Sequence, residues 1–111
     1  MAAETFPLGE FEQLVLLALL RLGDGPYAVP VREEICRCTG RDVSLGAVYK
    51  TLERLDAKGY VSSYTGEPTR ERGGRRKKFY RVEPPGSRAL QQSVAGLRQM
   101  TAGLGRKLEL P

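Results

Sequence analysis

The chain has 111 residues, which is enough for one compact domain and one additional helix. Hydrophobic residues make up 41% of it and charged residues 28%, a balance that is typical of globular rather than disordered chains. Its net charge of +5 indicates a polyanion as the first partner to consider.

The apolar segments predict no passage through a membrane. The longest of them, residues 14–20, is far shorter than the roughly 20 residues needed to span a bilayer. Residues 1–4 contain one acid and no basic residue, unlike the start of a signal peptide. We therefore expect a cytoplasmic protein with no membrane partner.

The two cysteines, Cys36 and Cys38, lie two residues apart in a predicted helix, so their side chains point to different faces and cannot easily form a disulfide. The chain has no histidine and no further cysteine, and we expect neither a metal site within one subunit nor a cofactor. The pattern places Cys38 in the core and Cys36 near the surface. Whether Cys36 has a redox role stays open.

A first helix is predicted over residues 8–21, where apolar residues recur at helical spacing. Its expected core stripe consists of Phe11, Leu14, Val15, Ala18 and Leu22. Three further leucines lie outside this stripe: Leu16, Leu17 and Leu20. Because a surface helix that is apolar on two sides needs a second cover, we expect these three at a dimer interface.

Two more helices follow. The second has Pro30 in its first turn and ends at Gly40, which suits a left-handed cap, and its inward residues are Val31, Ile35 and Cys38. In the third, Ser44 is the N-cap and Gly59 lies just past the end. The buried stripe of this third helix is Leu45, Val48, Leu52 and Leu55. Its opposite side carries Ala47, Lys50, Thr51 and Arg54.

After the third helix, the residue pattern changes from that of helices to that of strands. Two strands are predicted, over residues 60–65 and 78–82, with a basic loop between them. Residues 70–81 hold seven basic side chains and one acid, a local charge of +6 in a chain of +5. After the break at residues 84–86, Ser87 is expected to cap a last helix. Side chains in this helix recur every 3.5 residues and form a seam along one side, which predicts a dimerisation helix. The seam consists of Leu90, Val94, Leu97, Thr101, Leu104 and Leu108.

Three helices followed by a hairpin is the order of a winged helix-turn-helix, a mainly α (α+β) fold, and its recognition helix enters the major groove of DNA. Ala47 can approach a thymine methyl group, and Lys50 can reach a guanine or a phosphate. Thr51 can donate or accept a hydrogen bond. Arg54 suits a phosphate, as do the N–H groups around Ser44 and Gly46 and the hydroxyl of Tyr49. The basic wing residues expected on the DNA backbone or in the minor groove are Arg75, Arg76, Lys77 and Lys78.

Several motifs in this order resemble the PadR-type transcriptional regulators: VSLGAVY at 43–49, LERL at 52–55, GYV at 59–61, GGRRKKFYRV at 73–82 and GSRAL at 86–90. The resemblance implies a winged helix whose C-terminal helix dimerises, usually in a repressor, and a short branch with one helix after the wing. Ser44, Gly46 and Tyr49 match the start of the family's recognition helix, and residues 74–78 match its wing. Leu45 and Lys50 replace prolines that are common in the family, and Ala47 replaces a frequent threonine.

We therefore expect residues 1–84 to bind double-stranded DNA and residues 85–111 to form a homodimer on an inverted-repeat operator. Nothing in the sequence is arranged for catalysis, so an enzyme is not expected. The alternative is a general nucleic-acid or protein-interaction module without sequence specificity. An RNA reader is less favoured, because we expect no solvent-facing aromatic cluster in the wing. The operator, the regulated gene, the direction of regulation and any small-molecule effector are not encoded in these patterns.

Overall fold

The computed structural model describes residues 7–66 and 77–111. Within them the chain forms four helices and one antiparallel hairpin: α1 (Glu10–Leu22), α2 (Ala28–Thr39), α3 (Leu45–Ala57), β1 (Val61–Thr65), β2 (Lys78–Val82) and α4 (Pro84–Thr101). In the hairpin, Val61 pairs with Val82 and Thr65 with Lys78. This confirms the predicted winged-helix architecture. No helix of the described residues is long and apolar enough to cross a membrane.

The ends of the first helices follow from local hydrogen bonds. The Glu12 carboxylate accepts the backbone N–H of Gly9 at 2.9 Å, which satisfies one free donor at the start of α1. α2 begins at Ala28, so Pro30 lies in its first turn as predicted. Gly40, with φ +71°, closes α2 by donating its N–H to the Cys36 carbonyl, which confirms the predicted cap.

The core lies between α1, α2 and α3 and is closed by the hairpin and the first turns of α4. Its fully buried side chains are Val15, Leu16, Val31, Val48, Leu52, Leu55 and Val61. The predicted stripe of α1 was too narrow: Leu16 and Leu19 are buried, whereas Leu22 is exposed. α1 also packs on β2 and α4 of the same chain, which buries a second face of the helix.

The two cysteines have the opposite placement to the predicted one. Cys36 is half-buried and packs against the core, whereas Cys38 is exposed. Cys38 lies in the last turn of α2 beside an ion-pair cluster, in which Glu34 is 2.7 Å from both Arg21 and Arg37. Hydrogen bonds from Arg37 and Arg21 lower the pKa of Glu34 to about 2. Because charged side chains of this kind lie at the edge of a core rather than inside it, Cys38 beside them lies at the edge of the core too.

The last helix belongs in part to the core. It begins at Pro84 after an N-cap at Glu83, so Ser87 is not the cap that the sequence predicted. Its first turns bury Gly86, Ala89 and Leu90. A Cβ at Gly86 would lie 2.2 Å from the Tyr60 carbonyl oxygen, so only glycine permits this close approach.

α4 ends at Thr101, earlier than the predicted seam required. Gly103 then adopts φ +80°, and the following residues form turns. Leu104 and Leu108 are therefore not on the helix, and the prediction of one continuous seam was wrong beyond Thr101. Glycines at 103 and 105 disfavour a helix by up to about 1 kcal/mol each, and they outweigh the heptad pattern here.

Candidate nucleic-acid interface

The start of α3 is built as an open helix N-terminus. The Ser44 hydroxyl accepts the backbone N–H of Ala47 at 3.1 Å, which fixes the first turn. That turn contains no acidic residue, and Gly46 is exposed with open space where a Cβ would lie. The remaining N–H groups and the positive end of the helix dipole therefore face solvent, an arrangement that suits a phosphate.

The exposed face of α3 carries the predicted cations. Lys50 and Arg54 are exposed, and neither forms an ion pair within residues 7–66 and 77–111. Tyr49 is 43% exposed, and Ala47 is half-buried beside the open first turn. Six predicted residues, Ser44, Gly46, Ala47, Tyr49, Lys50 and Arg54, are thus at least partly open to solvent on one element.

Thr51 is a correction to the predicted DNA-contacting set. Its side chain is buried, with only 4% of its surface exposed, so it cannot reach a base edge. Thr51 lies three residues after Val48 and four before Leu55, both fully buried, and these spacings place it on the flank of the packed face.

Glu53 is a residue that the sequence interpretation missed. It is exposed one turn after Lys50 and two turns after Gly46, so it lies near the centre of the same face. It forms no ion pair among the side chains that the structure describes. Counting from the buried residues Val48, Leu52 and Leu55 around the helix would have placed it there.

α3 is fixed to α1 by a partly buried ion pair. The Lys58 ammonium group lies 2.7 Å from the carboxylate of Glu12, whose side chain is 8% exposed. Burial by itself would raise the pKa of Glu12, but hydrogen bonds from Lys58 and the Gly9 N–H and the charges of Lys58 and Arg54 lower it overall. This ion pair therefore ties the C-terminal end of α3 to α1.

The wing begins beside α3, on which β1 packs. Lys77 is half-buried and Lys78 exposed at the start of β2, while Arg75 and Arg76 lie outside the described residues. Tyr80 of β2 is buried, which raises the pKa of its hydroxyl, and the charges of Tyr49, Asp56 and Glu53 on α3 raise it further. The base of the wing thus lies close to the recognition helix.

Aromatic rings at the base of the wing pack against one another rather than forming an open stacking surface. Tyr64 is 43% exposed and stacks on Phe79, with 5.4 Å between ring centroids. Phe79 also meets Tyr27 edge to face, with centroids 5.9 Å apart. We call Tyr27, Tyr64 and Phe79 the aromatic clamp. Its three residues lie far apart in the sequence, so no local pattern could reveal the cluster.

A groove of about 380 Å³ runs between α1 and α4 and is lined mainly by apolar side chains, among them Leu17, Leu20, Leu90 and Val94. Farther along α4, Leu97 and Met100 are 58% and 75% exposed. Leu16 and Leu90, two of the predicted dimer residues, are instead almost fully buried in the core of the single chain. Of the other predicted residues, Thr101 and Leu104 are half-buried and Leu108 is exposed.

Comparison with known families decides the assignment. The model of the PadR-like family of transcriptional regulators matches residues 16–92, a range that runs from α1 through the wing into α4. The chain belongs to the PadR-like family. Among curated proteins, no relative matches it. Members of this family are DNA-binding transcriptional regulators and not enzymes, so this PadR-like chain is a DNA-binding regulator.

Solved structures similar to this PadR-like regulator share its fold. A PadR family regulator from Clostridium difficile has a TM-score of 0.70 and 20% identity over 90% of this chain and 99% of its own. A PadR-like transcription factor from Bacteroides fragilis has a TM-score of 0.72 and 21% identity, with 86% of each chain covered. A third, from Eggerthella lenta, has a TM-score of 0.66 and 24% identity over 92% of this chain and 88% of its own.

Proposed function

We propose that this PadR-like chain is a sequence-specific repressor that binds an inverted-repeat operator as a homodimer. The observation that carries the proposal is the outward face of α3. It combines an open, serine-capped N-terminus with two exposed cations that have no ion-pair partner among the described residues. A helix with these features matches what a recognition helix needs in the major groove.

Within that face, the proposed roles differ by position. Ser44 and Gly46 bring backbone N–H groups to a phosphate, and the Tyr49 hydroxyl supports the same contact. Lys50 reads a base, with guanine O6 and N7 as its natural acceptors. Arg54, one turn farther along, binds a phosphate on the rim of the groove.

The wing supplies contacts that do not depend on sequence. Arg75, Arg76, Lys77 and Lys78 pair with phosphates or enter the minor groove, because the local charge of +6 is concentrated in this segment. The exposed side chain of Lys78 at the start of β2 supports this role.

The dimer forms through residues 85–111 together with α1. Leu17, Leu20, Val94 and Leu97 present apolar surface along the groove, and a second copy of the chain related by a twofold axis covers it. Two α3 helices then read half-sites about one helical turn apart, roughly 34 Å. An operator with this spacing is an inverted repeat.

Selection of bound sequences from a random duplex library tests the proposal. The wild type should select an inverted repeat, and Lys50→Ala should change the preferred base in each half-site, with about 1–3 kcal/mol of discrimination lost. Lys107→Ala removes the same charge from the C-terminal turns and should leave the preference unchanged. Reduced transcription of a reporter behind the selected operator would support repression.

The alternative, a general DNA-binding module, makes a different prediction. Under this alternative, the wild type would select no palindrome, or both lysine variants would weaken binding to all duplexes by the same factor. Either result would show that α3 does not recognise specific bases.

A further inference from the structure

The aromatic clamp lies at the joint between the wing and the helix-turn-helix. Tyr27 is the residue before α2, Tyr64 is on β1 and Phe79 on β2, so three separate segments meet at one set of rings. Phe79 occupies the middle, stacked on Tyr64 and edge-on to Tyr27. Contacts of this geometry are stabilising beyond the area that they bury.

Main-chain contacts tie the same segments together. The Tyr80 N–H donates to the Pro26 carbonyl at 3.0 Å, and Tyr27 and Phe79 form an isolated antiparallel bridge. β2 is therefore bonded on both edges, to β1 on one side and to the segment before α2 on the other. The hairpin cannot swing without breaking these contacts.

Two glycines make room for the rings. A Cβ at Gly66 would lie 2.3 Å from the Phe79 ring, and one at Gly25 would lie 2.6 Å from the Tyr64 hydroxyl. Both glycines lie where the chain passes directly over the clamp. The close fit leaves the Phe79 ring little freedom to move.

The clamp also orders two cations at the base of the wing. The Lys77 ammonium group lies 4.3 Å from the centre of the Tyr27 ring, and the Arg81 guanidinium carbon lies 5.3 Å from that of Tyr64. Cations over aromatic faces at these distances are attracted to them. The rings therefore fix the direction of the hairpin and the position of the cations beside it.

We infer that Phe79 is a positioning residue for DNA binding: it holds the described part of the hairpin at the angle from α3 at which Lys77 and Lys78 meet the DNA backbone. This inference rests on the proposed function of the wing and assigns Phe79 no contact with DNA. Without the ring, the wing would sample several directions and lose phosphate contacts, while α3 would keep its choice of bases.

The experiment compares the wild type with Phe79→Ala, Gly66→Ala and a control, Val31→Ala. Gly66→Ala displaces the ring without deleting it. Val31 is fully buried on α2 and is not one of the three clamp rings, so its truncation lowers stability without deleting or displacing a clamp ring. In the free protein, amide exchange at Tyr80 reports on the clamp and exchange at Leu52 on the core.

Both clamp variants should speed exchange at Tyr80 more than at Leu52, whereas Val31→Ala should speed both alike. In duplex binding, both should flatten the dependence of log K on log salt by about 0.9 to 1.8, which corresponds to one or two lost phosphate contacts. The selected bases should not change, and Val31→Ala should keep the wild-type slope.

An unchanged salt slope in both clamp variants would overturn the inference even if exchange at Tyr80 increased, because the clamp would then be structural only. The same flattening in Val31→Ala would overturn it too, since general destabilisation would explain the effect. If the wild type bound no duplex, the proposed function would fail and the DNA role of Phe79 with it. The exchange data would still show separately whether the clamp forms.

Discussion

The ammonium group of Lys58, at the end of α3, lies 2.7 Å from the carboxylate of Glu12 in the first turn of α1. The same carboxylate accepts the Gly9 N–H, so one acid both caps α1 and fixes α3 to it. The orientation of the recognition helix therefore depends on an ionised group near the core, and pH should affect it.

Glu12→Gln should lower the free energy of unfolding by about 1–3 kcal/mol at neutral pH, because it weakens two hydrogen bonds to a charged group. The pKa of Glu12 is lowered from its usual 4.5 in the folded chain. The stabilisation is therefore complete above about pH 4.5 and is lost as the pH falls through the lower folded pKa. Urea unfolding at several pH values should show the two proteins converging in acid.

Glu10→Gln is the matched control, since Glu10 forms an exposed ion pair with Arg41. We expect it to change stability by less than about 0.5 kcal/mol at any pH. A loss in Glu10→Gln equal to that in Glu12→Gln would contradict the special role of the partly buried pair.

The cap at Ser44 allows stability and DNA binding to be separated. Ser44→Ala should cost about 1 kcal/mol of stability, because the Ala47 N–H loses its acceptor. Ser44→Asp keeps an acceptor and should keep the stability, but it places a negative charge where we propose that a phosphate binds. Thermal unfolding and duplex binding should therefore rank the two variants in opposite order. If Ser44→Asp bound duplex as the wild type does, no phosphate would lie at this helix end.

Glu53 should weaken binding to non-specific DNA, because its carboxylate lies on the same exposed face as Lys50. Glu53→Gln should therefore strengthen binding to a random duplex, most clearly at low salt, where charge repulsion is least screened. Glu109→Gln, in the C-terminal turns, removes the same charge and should have little effect. Equal gains from both variants would mean that only net charge matters.

The proposed dimer surface can be tested only with residues that are not also in the core. Leu97→Asp should give a monomer that remains folded, because Leu97 is 58% exposed in one chain. Val29→Asp, at an exposed apolar position on α2, should remain a dimer. Leu90→Ala should destabilise the subunit itself, by about 2–5 kcal/mol. Sedimentation combined with unfolding would show whether these effects separate, and a dimeric Leu97→Asp would rule out this part of α4 as the interface.

The sequence predicted element order and most boundaries because each depends on local chemistry. Ser44 caps α3, Gly40 ends α2, and the strand pattern at residues 78–82 matches β2. Predictions about which face is buried were less accurate, because they depend on distant partners. Leu16 is buried because β2 and α4 return to α1, and Thr51 because the flank of α3 packs inward. The aromatic clamp joins residues 27, 64 and 79, and no local pattern encodes it.

The contact between Gly86 and the Tyr60 carbonyl bears on the separation of the two α3 helices in the proposed dimer. The same carbonyl accepts the Glu83 N–H at 2.9 Å, so main-chain atoms fix the start of α4 to the segment between α3 and β1. In the proposed dimer, the angle at which α4 leaves this point sets the separation of the two α3 helices. Gly86, which has no side chain, would then help to set the spacing of the operator half-sites through its close approach to the backbone of Tyr60.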